Sequence, residues 1–283
     1  MRGFIILVAA GLALSTTVAS AEAPSARNVY VERRGLMEAD AQCRLLTPEV
    51  HAALQVTAMQ ARGVLLRGGW SITQMDQLEQ ATVAAARERA CNDPRTLSAA
   101  NVARAAYNTT FRSNAMEFPG WARAWSARRV AGSDGWRLRQ DINTPAPAIF
   151  GVRQVNGREE LVLMLSSAND QTAPPSAQIV LRNPALPAGA LDLTTRIAGG
   201  LDAGAPGPAN AMTINGARRI EHPGWFQTQV VYVFPNAAFR MLCQLDPRES
   251  IAVDLSGPRG SQRFLIEVGD IAAAAGFLAT RAD

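Results

Sequence analysis

The spacing of apolar residues changes once along this chain, at Ala131-Gly132-Ser133-Asp134-Gly135, and that change decides the fold class. Before it, apolar residues recur at helical spacing, as on helices with one buried face. After it they alternate with polar ones, the pattern of strands with one buried face. A chain of 283 residues is long enough for both units to build a core. The expectation is therefore an α+β protein. Residues 22–130 form a disulfide-bridged helical bundle, and residues 131–283 form an antiparallel β-sandwich-like domain closed by a C-terminal helix.

In the first half, Asn28 to Leu46 is helical in pattern, with Val29, Leu36 and Cys43 on one face. Thr47-Pro48-Glu49 opens a second helix, because Thr is a good cap and Pro is tolerated in the first turn. Its apolar row is Val50, Leu54, Ala58, Ala61 and Leu65, and Gly68-Gly69 ends it. Ser71 and Gln74 have the spacing of a capping box, which starts a third helix running to Ala90 with Met75, Leu78, Ala81 and Ala85 inward. Asp93-Pro94 breaks that helix, and Ser98 to Phe111 forms a fourth. Helices joined by short turns run up, down and up, so the ends of the first and third meet at one pole. Cys43 and Cys91 lie at those ends and should be bridged, contributing about 4 kcal/mol on the chain-entropy estimate.

Glu117-Phe118-Pro119-Gly120-Trp121 then begins a short helix through Arg129 that places Trp121 and Trp125 on one side. Two roles are open for the pair. They dock this helix as an apolar clamp, or with Arg123, Arg128 and Arg129 they form an exposed platform for a sugar or an anionic envelope polymer.

In the second half, strands are expected over Trp136 to Ile142, Ala148 to Val155, Glu160 to Leu165, Ala177 to Leu181, Ala190 to Arg196, Ala211 to Ile220 and Gln227 to Phe234. Gly199 to Pro208 reads as a loop, and Asn236 to Leu245 as a helix capped by Asn236 or one more strand. The end of the chain is the most regular part. Ser250 to Leu255 and Arg263 to Val268 alternate around a Gly257-Pro258 turn, and Asp270 caps a helix carrying Ile271, Ala274, Ala275 and Leu278 on one face.

Met1 to Ala21 has the form of a secretory signal: Arg2, an apolar stretch from Phe4 to Leu14, and small residues at Ala19-Ser20-Ala21 for cleavage after Ala21. No later run reaches the roughly 20 apolar residues of a transmembrane helix. The expected compartment is the periplasm, where paired cysteines oxidise.

From Gly135 to Thr280 the layout resembles the invasion-associated locus B family of exported proteobacterial proteins. The likeness rests on Asp134-Gly135-Trp136-Arg137-Leu138, on Leu161-Val162-Leu163-Met164-Leu165, on Asn183 to Leu191 as a counterpart of that family's Leu-Pro-x-Gly turn, and on the Gly269 to Leu278 helix. It implies a compact β-sandwich-like periplasmic domain without established catalytic residues. Members usually carry paired cysteines there, whereas this chain has only Cys243.

Every one of the 28 basic residues is Arg, and the net charge is only +4, with acids spread along the chain. Codon bias accounts for a total lack of Lys better than selection for anions does, so nucleic acid is not an expected partner. With His51 and His222 the only histidines, and no Cys-x-x-Cys, neither a metal nor another cofactor is expected. His222 shares a turn with Trp225 and is the one titratable candidate for a site. The function these observations favour is non-catalytic binding of an envelope protein or polysaccharide, through Trp121, Trp125, Arg128, Arg129, His222 and Trp225. The alternative is a periplasmic hydrolase with a convergent carboxylate pair or a His222 site.

Overall fold

The computed structural model describes residues 25–108, 113–142, 147–166, 173–188, 191–224, 227–258 and 260–280. The signal segment, Trp225 and the end of the Asn183 to Leu191 turn region at Ala190 lie outside them. Among the described residues there are seven helices and ten strands, all of the strand pairings antiparallel.

Four helices come first: α1 (Ala26–Cys43), α2 (Pro48–Arg67), α3 (Ile72–Arg87) and α4 (Pro94–Ala106). Each starts where a side chain accepts a hydrogen bond from an otherwise orphaned N–H of the first turn. Ser25 caps α1, Thr47 caps α2, Ser71 and Gln74 cap α3 reciprocally, and Asp93 caps α4. Asp93-Pro94 is therefore a start signal as well as a break. The expected apolar row of α2 is buried throughout. That of α3 is not: Met75 and Leu78 point inward, but the row continues through Thr82 and Ala86 while Ala81 and Ala85 are exposed. Thr82 is tolerated inside because its hydroxyl donates to Leu78 O at 2.7 Å. Cys43 and Cys91 form the expected disulfide, with Cα atoms 5.5 Å apart.

The sheet begins before the expected linker. Where the sequence suggested a helix beginning in Glu117 to Trp121 and running through Arg129, the chain forms β1 (Ala115–Pro119) and β2 (Ala124–Arg128), paired around a tight turn in which Gly120 N–H donates to Arg123 O at 2.7 Å. The four-residue spacing of Trp121 and Trp125 fits a strand face as well as a helix face, and Trp125 and Ala127 alternate inward.

The strands that follow are β3 (Trp136–Ile142), β4 (Ala148–Val155), β5 (Arg158–Ser166), β6 (Ser176–Arg182), β7 (Ala211–Gly224), β8 (Gln227–Phe234), β9 (Ser250–Gly257) and β10 (Gly260–Glu267). Their spatial order is β1-β2-β3-β4-β5-β8-β7-β6-β9-β10. Strand β7 does double service: Ala211 to Gly216 pair with β6, and Ala217 to Gly224 pair with β8. The expected strand Ala190 to Arg196 is not found among the described residues. Leu193 to Arg196 belong instead to helix α5 (Leu193–Ala203), because Asp192 caps it by accepting from Thr195 N at 2.7 Å, and α5 takes in the start of the expected Gly199 to Pro208 loop. Helix α6 (Asn236–Leu242) has Pro235, not Asn236, at its cap position, and no side chain caps it.

Helix α7 (Ile271–Ala279) closes the chain. It buries Ile271, Ala273, Ala274 and Phe277, so the buried face is turned slightly from the expected one, with Ala275 and Leu278 half-buried. Its core neighbours belong to both halves of the chain. Phe277 lies 5.7 Å from Phe118 of β1, and Val56 of α2 shares the core of the sheet. Burying a side chain the size of Phe277 contributes about 1.5–3 kcal/mol.

Candidate functional site

The polar interior centres on the corner between β10 and α7. Glu267 ends β10 with its side chain fully buried, and its carboxylate accepts from the backbone N–H groups of Trp121, Ala122 (2.8 Å) and Arg123 (2.9 Å) in the β1–β2 turn. Gly120 makes this approach possible, since a Cβ there would lie 2.7 Å from the Glu267 carboxyl carbon. On the other side the Arg196 guanidinium of α5 stands 3.5 Å from the same carboxylate. The Glu267 backbone is bound as well: Gln140 accepts from its N–H at 2.9 Å and donates to its carbonyl at 3.0 Å, doing what a neighbouring strand would do.

Two residues further, Gly269 adopts the left-handed conformation (φ 49°) and turns the chain into α7. Asp270 stands at the cap position, yet it does not cap. Its carboxylate takes a two-point contact from Arg67 of α2, at 2.6 and 2.9 Å. Gly63 leaves the room for this, because a Cβ there would lie 2.0 Å from Asp270 Oδ1. Burial pushes the Asp270 carboxyl above the usual carboxylate range, and the opposing pull of Arg67 does not cancel it.

Between α2 and α7 runs a trough, with the helices antiparallel: Gly63 faces Asp270 and Val56 faces Gly276. One end is a cavity of about 610 Å³ walled by Ala52, Val56, Ala272, Gly276 and Ala279, with Glu49 at its mouth. The other is a cavity of about 310 Å³ lined by Arg62, Cys243, Gln244, Asp270 and Ala273. Met59 and Ala272 line both, so the two cavities adjoin. The Cys243 thiol is pushed up to about 12 by burial, which removes it as a nucleophile at neutral pH.

The residues singled out from sequence do not converge. Trp125 is buried, and its indole N–H is shared between the carbonyls of Glu267 (3.1 Å) and Val268 (2.9 Å). Arg129 is buried with its guanidinium 4.1 Å from the Phe277 ring centre, donating to Thr280 Oγ1 at 2.6 Å. Trp121 is half-buried in the turn and Arg128 is exposed. Of the two roles open for this stretch, Trp125 and Arg129 take the packed one, since burial alternates through Trp125, Ala127 and Arg129 along β2 and the residue after it. His222 is exposed on β7, and β3, β4, β5 and β8 separate that strand from β2. His51 binds Asp40 through Nδ1 at 2.8 Å.

The carboxylates near His222 are engaged. Arg219 contacts both Glu160 and Glu221 at 2.7 Å, and Arg153 contacts Glu221 at 2.9 Å. Burial raises the Glu221 carboxyl, but the two arginines hold it below the usual range. Among the described residues no three potential metal ligands come together. The chain matches no protein family, no curated protein and no solved structure. Sequence reasoning missed Arg62, Arg67, Glu267 and Asp270 as site residues. Their only signals were two glycines, Gly63 in a helix interior and Gly120 in a turn, each of which marks a close approach.

Proposed function

We propose that the protein is an exported, non-catalytic binding protein of the cell envelope, and that the α2–α7 trough is its ligand site. The observation that carries this is the combination of two adjoining, largely apolar cavities with an interior in which the buried acids already have arginine or backbone partners. Small-molecule sites are of this kind: concave, mostly apolar, with a few polar groups. A hydrolase needs a carboxylate pair or a nucleophile and base presented to a cleft, whereas Glu160 and Glu221 are held by arginines and Cys243 is protonated. The periplasmic assignment rests on the signal-like Met1 to Ala21 stretch and is supported by the Cys43–Cys91 bridge. The resemblance to the invasion-associated locus B family, and a sandwich-like arrangement of the strands behind a helical bundle, belong to the same reading.

The test is capture. Mature protein starting at Glu22, immobilised through its C-terminus, should retain a defined envelope component, and periplasmic extracts should contain the chain cut after Ala21. Recovery of an uncut chain in membranes, or hydrolysis of ester or glycoside substrates lost on His222→Ala, would overturn it.

A further inference from the structure

Arg67 holds Asp270 at the narrow end of the trough, and two other acids that feel the charge of Arg62 are held elsewhere, Asp246 by Arg248 and Glu79 by Arg34. Arg62 differs. It is half-buried, lines the 310 Å³ cavity, and among the described residues forms no hydrogen bond or ion pair. Asp246 and Glu79 feel its charge, but each is already bonded to another arginine. One cationic group is therefore left facing the cavity, and a guanidinium presents paired donors that match a carboxylate.

The rest of the trough offers no comparable polar anchor. Its walls at the wide end are Ala52, Val56, Met59, Ala272, Gly276 and Ala279, and its mouth carries the acid Glu49. An anionic group is thus attracted to one end and repelled from the other, which gives the occupant a direction. From Glu49 to Arg62 the α2 axis advances about 20 Å, the span of roughly sixteen carbons in an extended chain. Resting on the reading of the trough as a ligand site, we infer that it takes one single-chain anionic amphiphile, a free fatty acid, with the carboxylate on Arg62 and the acyl chain along Met59, Ala272, Gly276 and Ala52.

The experiment titrates the mature, disulfide-bonded protein with palmitate below its micelle concentration, following heat or displacement of a fluorescent fatty acid. One palmitate per chain is expected, with hexadecanol bound more weakly. Arg62→Gln should weaken palmitate by roughly tenfold to a hundredfold, the value of one hydrogen bond to a charged group, and erase the preference over hexadecanol. Ala52→Trp should block both ligands, and melting temperatures check that both variants are folded. Absence of palmitate binding, or binding unchanged in both variants, overturns the inference. So does cosedimentation with phosphatidylglycerol vesicles that is lost on Arg62→Gln without any binding of free palmitate. If palmitate fails while the capture experiment retains another envelope component, only the ligand class is wrong; if both fail, the binding reading falls with it.

Discussion

Glu267 carries more of the fold than any other polar residue, because one carboxylate satisfies three N–H groups of the β1–β2 turn and faces Arg196. Glu267→Ala should cost about 3–5 kcal/mol, the penalty for breaking a buried charge pair, read as a drop in the denaturation midpoint. Trp125→Ala should cost a similar amount, about 3–5 kcal/mol, while Trp121→Ala should cost much less. Equal effects of the two would contradict the strand assignment. Asp270 gives a pH signature. Its folded carboxyl sits above the ordinary 3.8, so the folded state binds its proton more tightly than the unfolded chain does. That contribution to stability is complete below 3.8 and is lost as pH rises through the folded value. The melting temperature of wild type relative to Asp270→Asn should therefore decline as pH rises from 3, then level off. None of these roles could be read from the residue alone. Glu267 sits in a regular alternation in which Phe264 and Ile266 are the inward residues, so it reads as an outward carboxylate; the turn amides it binds lie more than a hundred residues away.

The second and third helices were legible from their caps, whereas Asp93 and Asp192 cap α4 and α5 without having been read as helix starts. Thr47, Ser71 with Gln74, and the cysteines at the ends of α1 and α3 each act locally, so sequence and structure agree on α2, α3 and the disulfide. Reduction of Cys43–Cys91, or Cys43→Ser with Cys91→Ser, should lower stability by about 4 kcal/mol for this 48-residue separation. Strands β4 and β8 also fall where alternation placed them, at Ala148–Val155 and Gln227–Phe234. Failures came where two periods fit equally, as at Trp121 and Trp125, or where a cap outweighed alternation, as at Asp192. Helix α5 is the least anchored element. Arg196 is its sole buried residue, while Leu193 and Ile197 are exposed and Gly200 leaves helical geometry at φ 55°. Hydrogen exchange should show α5 amides opening well below the global unfolding free energy and α7 amides close to it.

At the scale of the molecule, β1 and β10 are the two edge strands of the sheet, and Gln140 of β3 and Trp125 of β2 reach the end of β10 at Glu267 through side chains rather than a strand ladder. Such long-range polar closure leaves no periodic trace, which is why an α+β chain with alternating strands could be anticipated but the trough between α2 and α7 could not. Several residues that hold early parts of the chain come from its far end: Glu267 grips the β1–β2 turn, Asp270 grips α2, and Phe277 covers Phe118. A ribosome delivers that end last. A chain that stops short of residue 267 leaves three turn amides without their acceptor and Arg67 without its carboxylate, so a copy truncated there should be digested by added protease faster than the full-length protein.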